Sequence, residues 1–328
     1  METNLLAPVV VFCYNRVDHL EKTLAALTLN VLAEDSDLII FSDGPKNETD
    51  LIGVQEVRAF LENFKNASIF KSIEVVAAIE NLGLANSIIN GVSRVIKSYG
   101  KIIVVEDDVI TSKFFLMYMN DALNKYKDKS TIGSISSYVP DIKLPSNYNY
   151  SIFASMRPSS IAWGTWIDRW EKIDWNLKKY HLEKFNFFQR KKLNDWGTDV
   201  AGRLDRYVAG YNNSWAIRFT VSCMKNNLYS VHPRKSLSNH IGFDGSGTNT
   251  SIDDLKLFDV KELSNEKISV PDLPPQVDKR IQQEFKLKYK RPLISAMGEY
   301  FIVAVFGCNK NSFLVKESRK FTSLIKKI

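Results

Sequence analysis

Short apolar runs alternate with segments whose apolar residues recur every three or four positions through the first third of the chain. Pro8–Phe12 reads as a buried strand, and Leu20, Leu24 and Leu27 then share one face of a helix that Asp18 is placed to cap. Leu38–Phe41 is the next strand. Val57, Phe60, Leu61 and Phe64 mark the inward side of a second helix over about residues 52–64, after which Ile73–Val76 resumes the sheet. A third helix, over about Leu84–Lys97, leads into the apolar run Ile102–Val105. Strands and helices in this alternation predict an α/β fold with a mostly parallel, Rossmann-like sheet and helices on both faces.

From about Thr131 the pattern changes. Ile132–Ser136 is a further strand, followed by a loop containing Pro and Asn up to Tyr150. The chain therefore divides at about residues 1–130, 131–250 and 251–328, the last part being a linker with a Pro cluster at 271–275 and a basic helical tail.

With 328 residues, 45% of them hydrophobic, the chain can bury a full core. A formal charge of +7 favours anionic partners, although solubility alone explains it equally well. Cys13, Cys223 and Cys308 lie far apart with no CxxC pair, which argues for a reducing compartment and against a zinc site or disulfide framework. No secretory signal precedes the first strand, so cytoplasmic residence is expected. The apolar stretch Leu293–Cys308, interrupted by Glu299, is shorter than the roughly 20 residues a spanning helix needs.

In open α/β sheets ligands gather outside the carboxyl ends of the strands. Three such ends carry polar signatures here: Tyr14-Asn15-Arg16, Ser42-Asp43-Gly44 and Glu106-Asp107-Asp108. Together they offer a guanidinium for phosphate, a lone carboxylate for a base N–H and an acidic triplet for a divalent cation. The plainer alternatives are a turn at Asp43 before Gly44-Pro45, a surface Arg16 beside Asp18, and acids preceding a helix that starts near Thr111 or Ser112. No dinucleotide or P-loop glycine motif occurs.

The segments Phe12-Cys13-Tyr14-Asn15-Arg16, Phe41-Ser42-Asp43-Gly44-Pro45, Asn81-Leu82-Gly83-Leu84-Ala85 and Val105-Glu106-Asp107-Asp108 resemble the donor half of bacterial sugar transferases related to N-acetylglucosaminyltransferase I, which are GT-A-fold glycosyltransferases. The resemblance continues through Trp163–Trp170, Ser214–Arg218 and Asn239–Thr248. It implies a nucleotide-sugar donor, a UDP-sugar first of all, whose diphosphate is neutralised by Mn²⁺ or Mg²⁺. Asp108 would then be the metal ligand, with Glu106 and Asp107 on the sugar or ribose, Asp43 on the base, Arg16 near the diphosphate, and Asn15 and Asn81 in the same donor crevice.

For the acceptor side, the ring-and-acid mixture between Trp163 and Trp175 suits a saccharide, since pyranose faces stack on rings while hydroxyls bond acids. Trp163 and Trp215 are the expected contacts and Trp170 a structural residue, although Trp166 and Trp170 could equally share the core face of a helix. In eukaryotic relatives the catalytic base is an Asp just ahead of a Trp that resembles Trp215, where this chain has Asn213 and Ser214. Asp244 in its Gly-rich setting comes first among the candidates that remain, with Asp199, Asp195 and Asp205, each of which also reads as a helix cap, surface acid or turn residue. His240 is a possible second metal ligand. The basic tail, with Lys316, Arg319, Lys320, Lys326 and Lys327 among apolar residues, suits either an anionic lipid surface or docking on its own domain. The expectation is a cytoplasmic glycosyltransferase, peripheral to the membrane if its acceptor is a lipid-linked glycan, with no nucleic-acid partner. The alternatives are a catalytically silent binding protein of the same fold and a sugar nucleotidyltransferase.

Overall fold

The computed structural model describes residues 5–177, 187–208, 210–242, 262–272 and 275–290. Its frame is an eight-stranded sheet of order β3-β2-β1-β4-β8-β6-β9-β7. The strands are β1 (Val9–Cys13), β2 (Asp37–Ser42), β3 (Ser72–Ala77), β4 (Lys101–Glu106), β6 (Ile132–Ser136), β7 (Ile152–Ser155), β8 (Trp163–Trp166) and β9 (Tyr229–Pro233). β3, β2, β1 and β4 are mutually parallel, as the βαβ alternation predicts. Beyond β4 the sheet is mixed: β8 lies antiparallel between β4 and β6, β9 runs parallel to β6, and β7 runs antiparallel to β9. A separate two-stranded ribbon pairs β5 (Val109–Thr111) with β10 (Ser238–His240).

Period-two alternation distributes β1 between two cores. Val9 and Val11 join α1 (Val17–Thr28), α2 (Glu48–Ala67) and α4 (Phe115–Lys125) on one face, while Val10 and Phe12 meet α3 (Leu84–Tyr99) and α8 (Trp215–Lys225) on the other. Two expected boundaries move for local reasons. The residue at the N-cap of α1 is Arg16, with no side-chain cap, and Asp18 sits in the first turn, where its charge still favours the helix dipole. α2 begins earlier than its apolar pattern because the Asn47 side chain accepts from the Asp50 amide and caps the polar residues Glu48, Thr49 and Asp50 onto the helix.

The tryptophan-rich segment is a larger departure from the helical option. Trp163–Trp166 is strand β8, so Trp163 and Trp166 point to opposite faces, and only the single turn α5 (Ile167–Trp170) is helical. Trp163 is fully buried in a stack with Trp170, Trp215 and Phe219, at ring-centroid distances of 5.8, 5.3 and 5.1 Å. That corrects its expected role, because a ring with no exposed surface cannot carry a sugar. Trp170 is structural, its Nε1 donating to Ser93 Oγ at 2.9 Å.

A third core cluster joins β7 to α6 (Phe187–Leu193), α7 (Val200–Val208) and α9 (Lys279–Lys288). Ile281 and Phe285 of α9 are buried there, so this part of the third segment is integral to the second half of the fold rather than a tail. The basic residues from Lys310 onward lie outside the described residues. Among the described residues no helix is long and apolar enough to cross a membrane.

His232, on β9, is buried against this cluster and stacks on Phe153 at 5.2 Å. Its Nδ1 lies 2.9 Å from the Tyr138 carbonyl and its Nε2 3.2 Å from that of Arg157. A neutral imidazole has one N–H for these two acceptors, but burial outweighs their pull and lowers the pKa from 6.5 to about 4. The unfolded chain therefore binds this proton first as pH falls. Its contribution, on the order of 3 kcal/mol, is complete above pH 6.5 and drains away toward pH 4. Urea unfolding from pH 7 to 4.5 is expected to show this loss. His232→Gln should be less stable at pH 7, with a gap to wild type that narrows as pH falls; a constant gap counts against the assignment.

Candidate active site

The acidic triplet ends β4, and β1 places its own carboxyl end alongside, with Phe12 in register with Glu106. Arg16 follows in the next loop and its Nη2 bridges two of the acids, 2.7 Å from Asp107 Oδ1 and 2.6 Å from Asp108 Oδ2. All three side chains are largely shielded from water, so screening is weak and this bridge offsets the repulsion between adjacent carboxylates. Burial opposes the Arg16 charge, but Asp107 and Asp108 outweigh it and raise its pKa above the ordinary value. Glu106 has no such partner. Desolvation, followed by the charges of Asp108 and Asp107, pushes its pKa up to about 8, so near neutrality it is largely protonated. The three acids thus separate into a paired couple and one neutral carboxyl.

Backbone bonds hold the couple in place. Thr23 Oγ donates to the Asp107 carbonyl at 2.8 Å, the Tyr14 amide donates to Asp107 Oδ2 at 3.4 Å, and the Ile241 amide donates to the Asp108 carbonyl at 2.8 Å. Ribbon pairing of His240 with Val109 lays β10 across the acidic turn. His240 Nε2 consequently lies 3.2 Å from Asp108 Oδ1. The Gly242 amide donates to His240 Nδ1 at 3.1 Å, which puts the ring proton on Nε2, facing Asp108. Gly242 fits because it has no side chain: a Cβ there would come within 2.3 Å of Asp108 Oδ2.

Two buried atoms of this cluster lack a well-formed hydrogen bond: Arg16 Nη1, and Asp108 Oδ1, which has only the His240 ring nitrogen beside it at 3.2 Å. A carboxylate oxygen so placed is a hard donor suited to Mn²⁺ or Mg²⁺. Among the described residues no group of three or more His, Cys, Asp or Glu could hold a metal alone. Most ligands would have to come from substrate oxygens and water, as is usual for Mg²⁺. His240 offers Nε2 only if its ring proton moves to Nδ1, which breaks the bond from the Gly242 amide.

Other expected residues fall elsewhere. Asn15 donates to Asp50 Oδ1 at 3.0 Å, tying the loop after β1 to α2. Asp43 and Asn81 bond one another across the loops after β2 and β3. Asp199 is held in two 2.8 Å bonds by Arg157, which stacks on Tyr289 with its Cζ 3.7 Å from the ring centroid. Such a carboxylate is a structural counter-charge, which turns the expectation of a base away from it. Asp195 is partly exposed beside α9, where Lys286 lies 4.0 Å away. Asp244 lies outside the described residues.

The positions ahead of Trp215 have capping work. Ser214 Oγ accepts from the Ile217 amide, and Asn213 Oδ1 accepts from Arg218. Trp215, although only 3% exposed, borders a small cavity of about 80 Å³ with Ser159, Ser160, Ile161 and Thr220. Sequence reasoning missed Arg157, Thr23 and Gly242. Their partners are 42, 84 and more than 130 positions away, so no local spacing announces them.

The sequence matches no protein-family model and no curated protein. Among solved structures, the crystal structure of S. aureus TarS is similar at 11% identity and a TM-score of 0.41, covering 73% of this chain. This chain spans 37% of that longer one. S. aureus TarS 1-349 is similar at 10% identity and a TM-score of 0.41, over 92% of this chain and 81% of that one. Likeness at this level assigns neither family nor activity.

Asp199→Ala is expected to strand the buried Arg157 charge and cost roughly 3–5 kcal/mol in urea unfolding. Asp199→Asn, which keeps shape and one acceptor, should cost less. Loss of activity in either variant at unchanged stability would restore Asp199 as a base.

Proposed function

We propose that the chain is a metal-dependent glycosyltransferase of GT-A type, moving a sugar from a nucleoside diphosphate to a saccharide acceptor. The observation that carries this reading is a pair of buried, under-bonded atoms of opposite character in one ion cluster, Arg16 Nη1 and Asp108 Oδ1, the second touched only by the His240 ring. A donor diphosphate with its divalent cation supplies a partner for each: a phosphate oxygen for the guanidinium and a cation for the carboxylate. Position in the fold supports it too, since the cluster sits at the carboxyl end of adjacent parallel strands.

In this reading Asp108 holds the metal, which when bound neutralises charge developing on the departing diphosphate. Arg16 orients the diphosphate while continuing to hold Asp107, and so fixes the phosphate relative to the metal ligand. Glu106, at the same rim, offers its carboxyl group to a sugar or ribose hydroxyl. The acceptor is assigned to the Trp215 side, where Ser159, Ser160 and Thr220 line a small cavity together with apolar residues. UDP is the nucleotide to test first. A lipid-linked acceptor would give the basic residues after Lys310 a membrane surface to meet.

Asp108→Asn keeps the side-chain volume but removes the anionic donor. It is expected to weaken Mn²⁺-dependent UDP binding in calorimetry by at least about 100-fold, and to abolish Mn²⁺-stimulated hydrolysis of UDP-sugars. Metal-dependent binding without turnover of any donor would favour a silent binding protein. A wild-type chain that binds no nucleoside diphosphate with or without metal would overturn the reading.

A further inference from the structure

Asp43 ends β2 and is buried, and its carboxylate is spent inside the chain. Oδ1 accepts from the Gly44 amide at 2.9 Å and the Leu82 amide at 2.8 Å. Oδ2 accepts from the Gly83 amide at 2.9 Å and from Asn81 Nδ2 at 3.2 Å. A carboxylate has about four lone-pair sites, and all are taken. Nothing remains on Asp43 to accept an N–H from an incoming base.

Three of these bonds, from Asn81, Leu82 and Gly83, dock the loop that follows β3 onto the loop that follows β2. The approach is close: a Cβ on Gly44 would come within 2.5 Å of the Glu80 carbonyl carbon. Arg58 of α2 braces the junction from below, its Nη2 donating to the Ala78 carbonyl at 2.6 Å and the Asp43 carbonyl at 3.4 Å. Asn81 is pinned by the same device, since its Nδ2 also donates to the Gly44 carbonyl at 2.8 Å. Both amide hydrogens then have acceptors, which settles the orientation of the amide group. Its Oδ1 accepts no hydrogen bond among the described residues.

We propose that Asp43 is a positioning residue, a clamp that presents Asn81, and that Asn81 Oδ1 is the acceptor that reads an N–H on the edge of the donor's base. The clamp stands on the hydrogen bonds alone, whereas the role of Asn81 rests on the donor-binding reading above. A neutral amide suits this task because its nitrogen is anchored and only its oxygen faces a ligand. Asn81→Asp would place a third carbonyl-type oxygen against Asp43 and Gly44 and lose the anchor.

The test compares wild type, Asp43→Asn and Asn81→Ala in two measurements. Hydrogen exchange reads the Leu82 and Gly83 amides. Calorimetry with Mn²⁺ and UDP, CDP, GDP or ADP reads base preference. Asp43→Asn sets an NH₂ against backbone N–H donors, so exchange at Leu82 and Gly83 should accelerate by at least about tenfold. Every nucleotide should then bind more weakly by a similar factor, leaving the preference ratios in place. Asn81→Ala should leave the Leu82 and Gly83 amides protected to within about threefold and reduce the preference among bases to near unity. Asp43→Asn with unchanged amide protection and a collapsed base preference would overturn the proposal and make Asp43 the reader. If wild type binds no nucleotide, the role of Asn81 falls together with the donor reading, while exchange at Leu82 and Gly83 still decides whether Asp43 is the clamp.

Discussion

The bridge from Arg16 to Asp107 and Asp108 is the interaction around which the rest of this site is arranged. Two adjacent carboxylates at the end of a buried strand repel each other in a medium too dry to screen them. They are held side by side because β1 and β4 are parallel neighbours and deliver a guanidinium to the same end of the sheet. Glu106, one residue earlier, has no such bridge and takes the alternative response to burial, which is to keep its proton. One cation therefore bridges two of the three adjacent acids and leaves the third outside the ion pair.

The same economy of charge runs through the second half of the fold. Arg157 is buried with Asp199 as its counter-ion and Tyr289 against its face, while Arg190 holds Asp205 in a pair of bonds at 2.9 and 2.7 Å. These pairs use acids that might otherwise be read as catalytic. They also explain why the described part of the C-terminal segment belongs to the body of the protein, since Tyr289 and Phe285 close over Arg157 and Trp196. A buried carboxylate already engaged by arginine cannot accept a substrate proton without leaving a guanidinium unpaired.

Loops at the carboxyl edge are organised by a different means, the satisfaction of backbone amides. Asp43 takes three amide hydrogens and one side-chain hydrogen, and Ser214 and Asn47 each take the amide of a first helical turn. In each case a polar side chain at a strand end or helix start does structural work at the place where ligands are expected. Polarity at the edge of an α/β sheet therefore marks the region of a site more reliably than it marks which side chain touches a ligand. The opposed, under-bonded atoms Arg16 Nη1 and Asp108 Oδ1 are more selective, because a buried group short of hydrogen bonds calls for a partner.

Period and punctuation in the sequence determined the parallel half of the sheet from Pro8 to Val105, because burial of alternate or helix-spaced residues is a local requirement that each segment meets on its own. They also located the acidic strand end, since a buried apolar run can stop in three carboxylates only where the strand emerges at the edge of its sheet. The direction of β8, the burial of Trp163, the pairing of Asp199 with Arg157 and the approach of His240 and Gly242 to Asp108 were decided by the tertiary structure alone. The physical reason is the same in each case. Whether a carboxylate is free, paired or protonated, and whether a ring is a platform or a core residue, depends on groups tens to more than a hundred positions away, brought within a few ångströms only when the sheet is assembled.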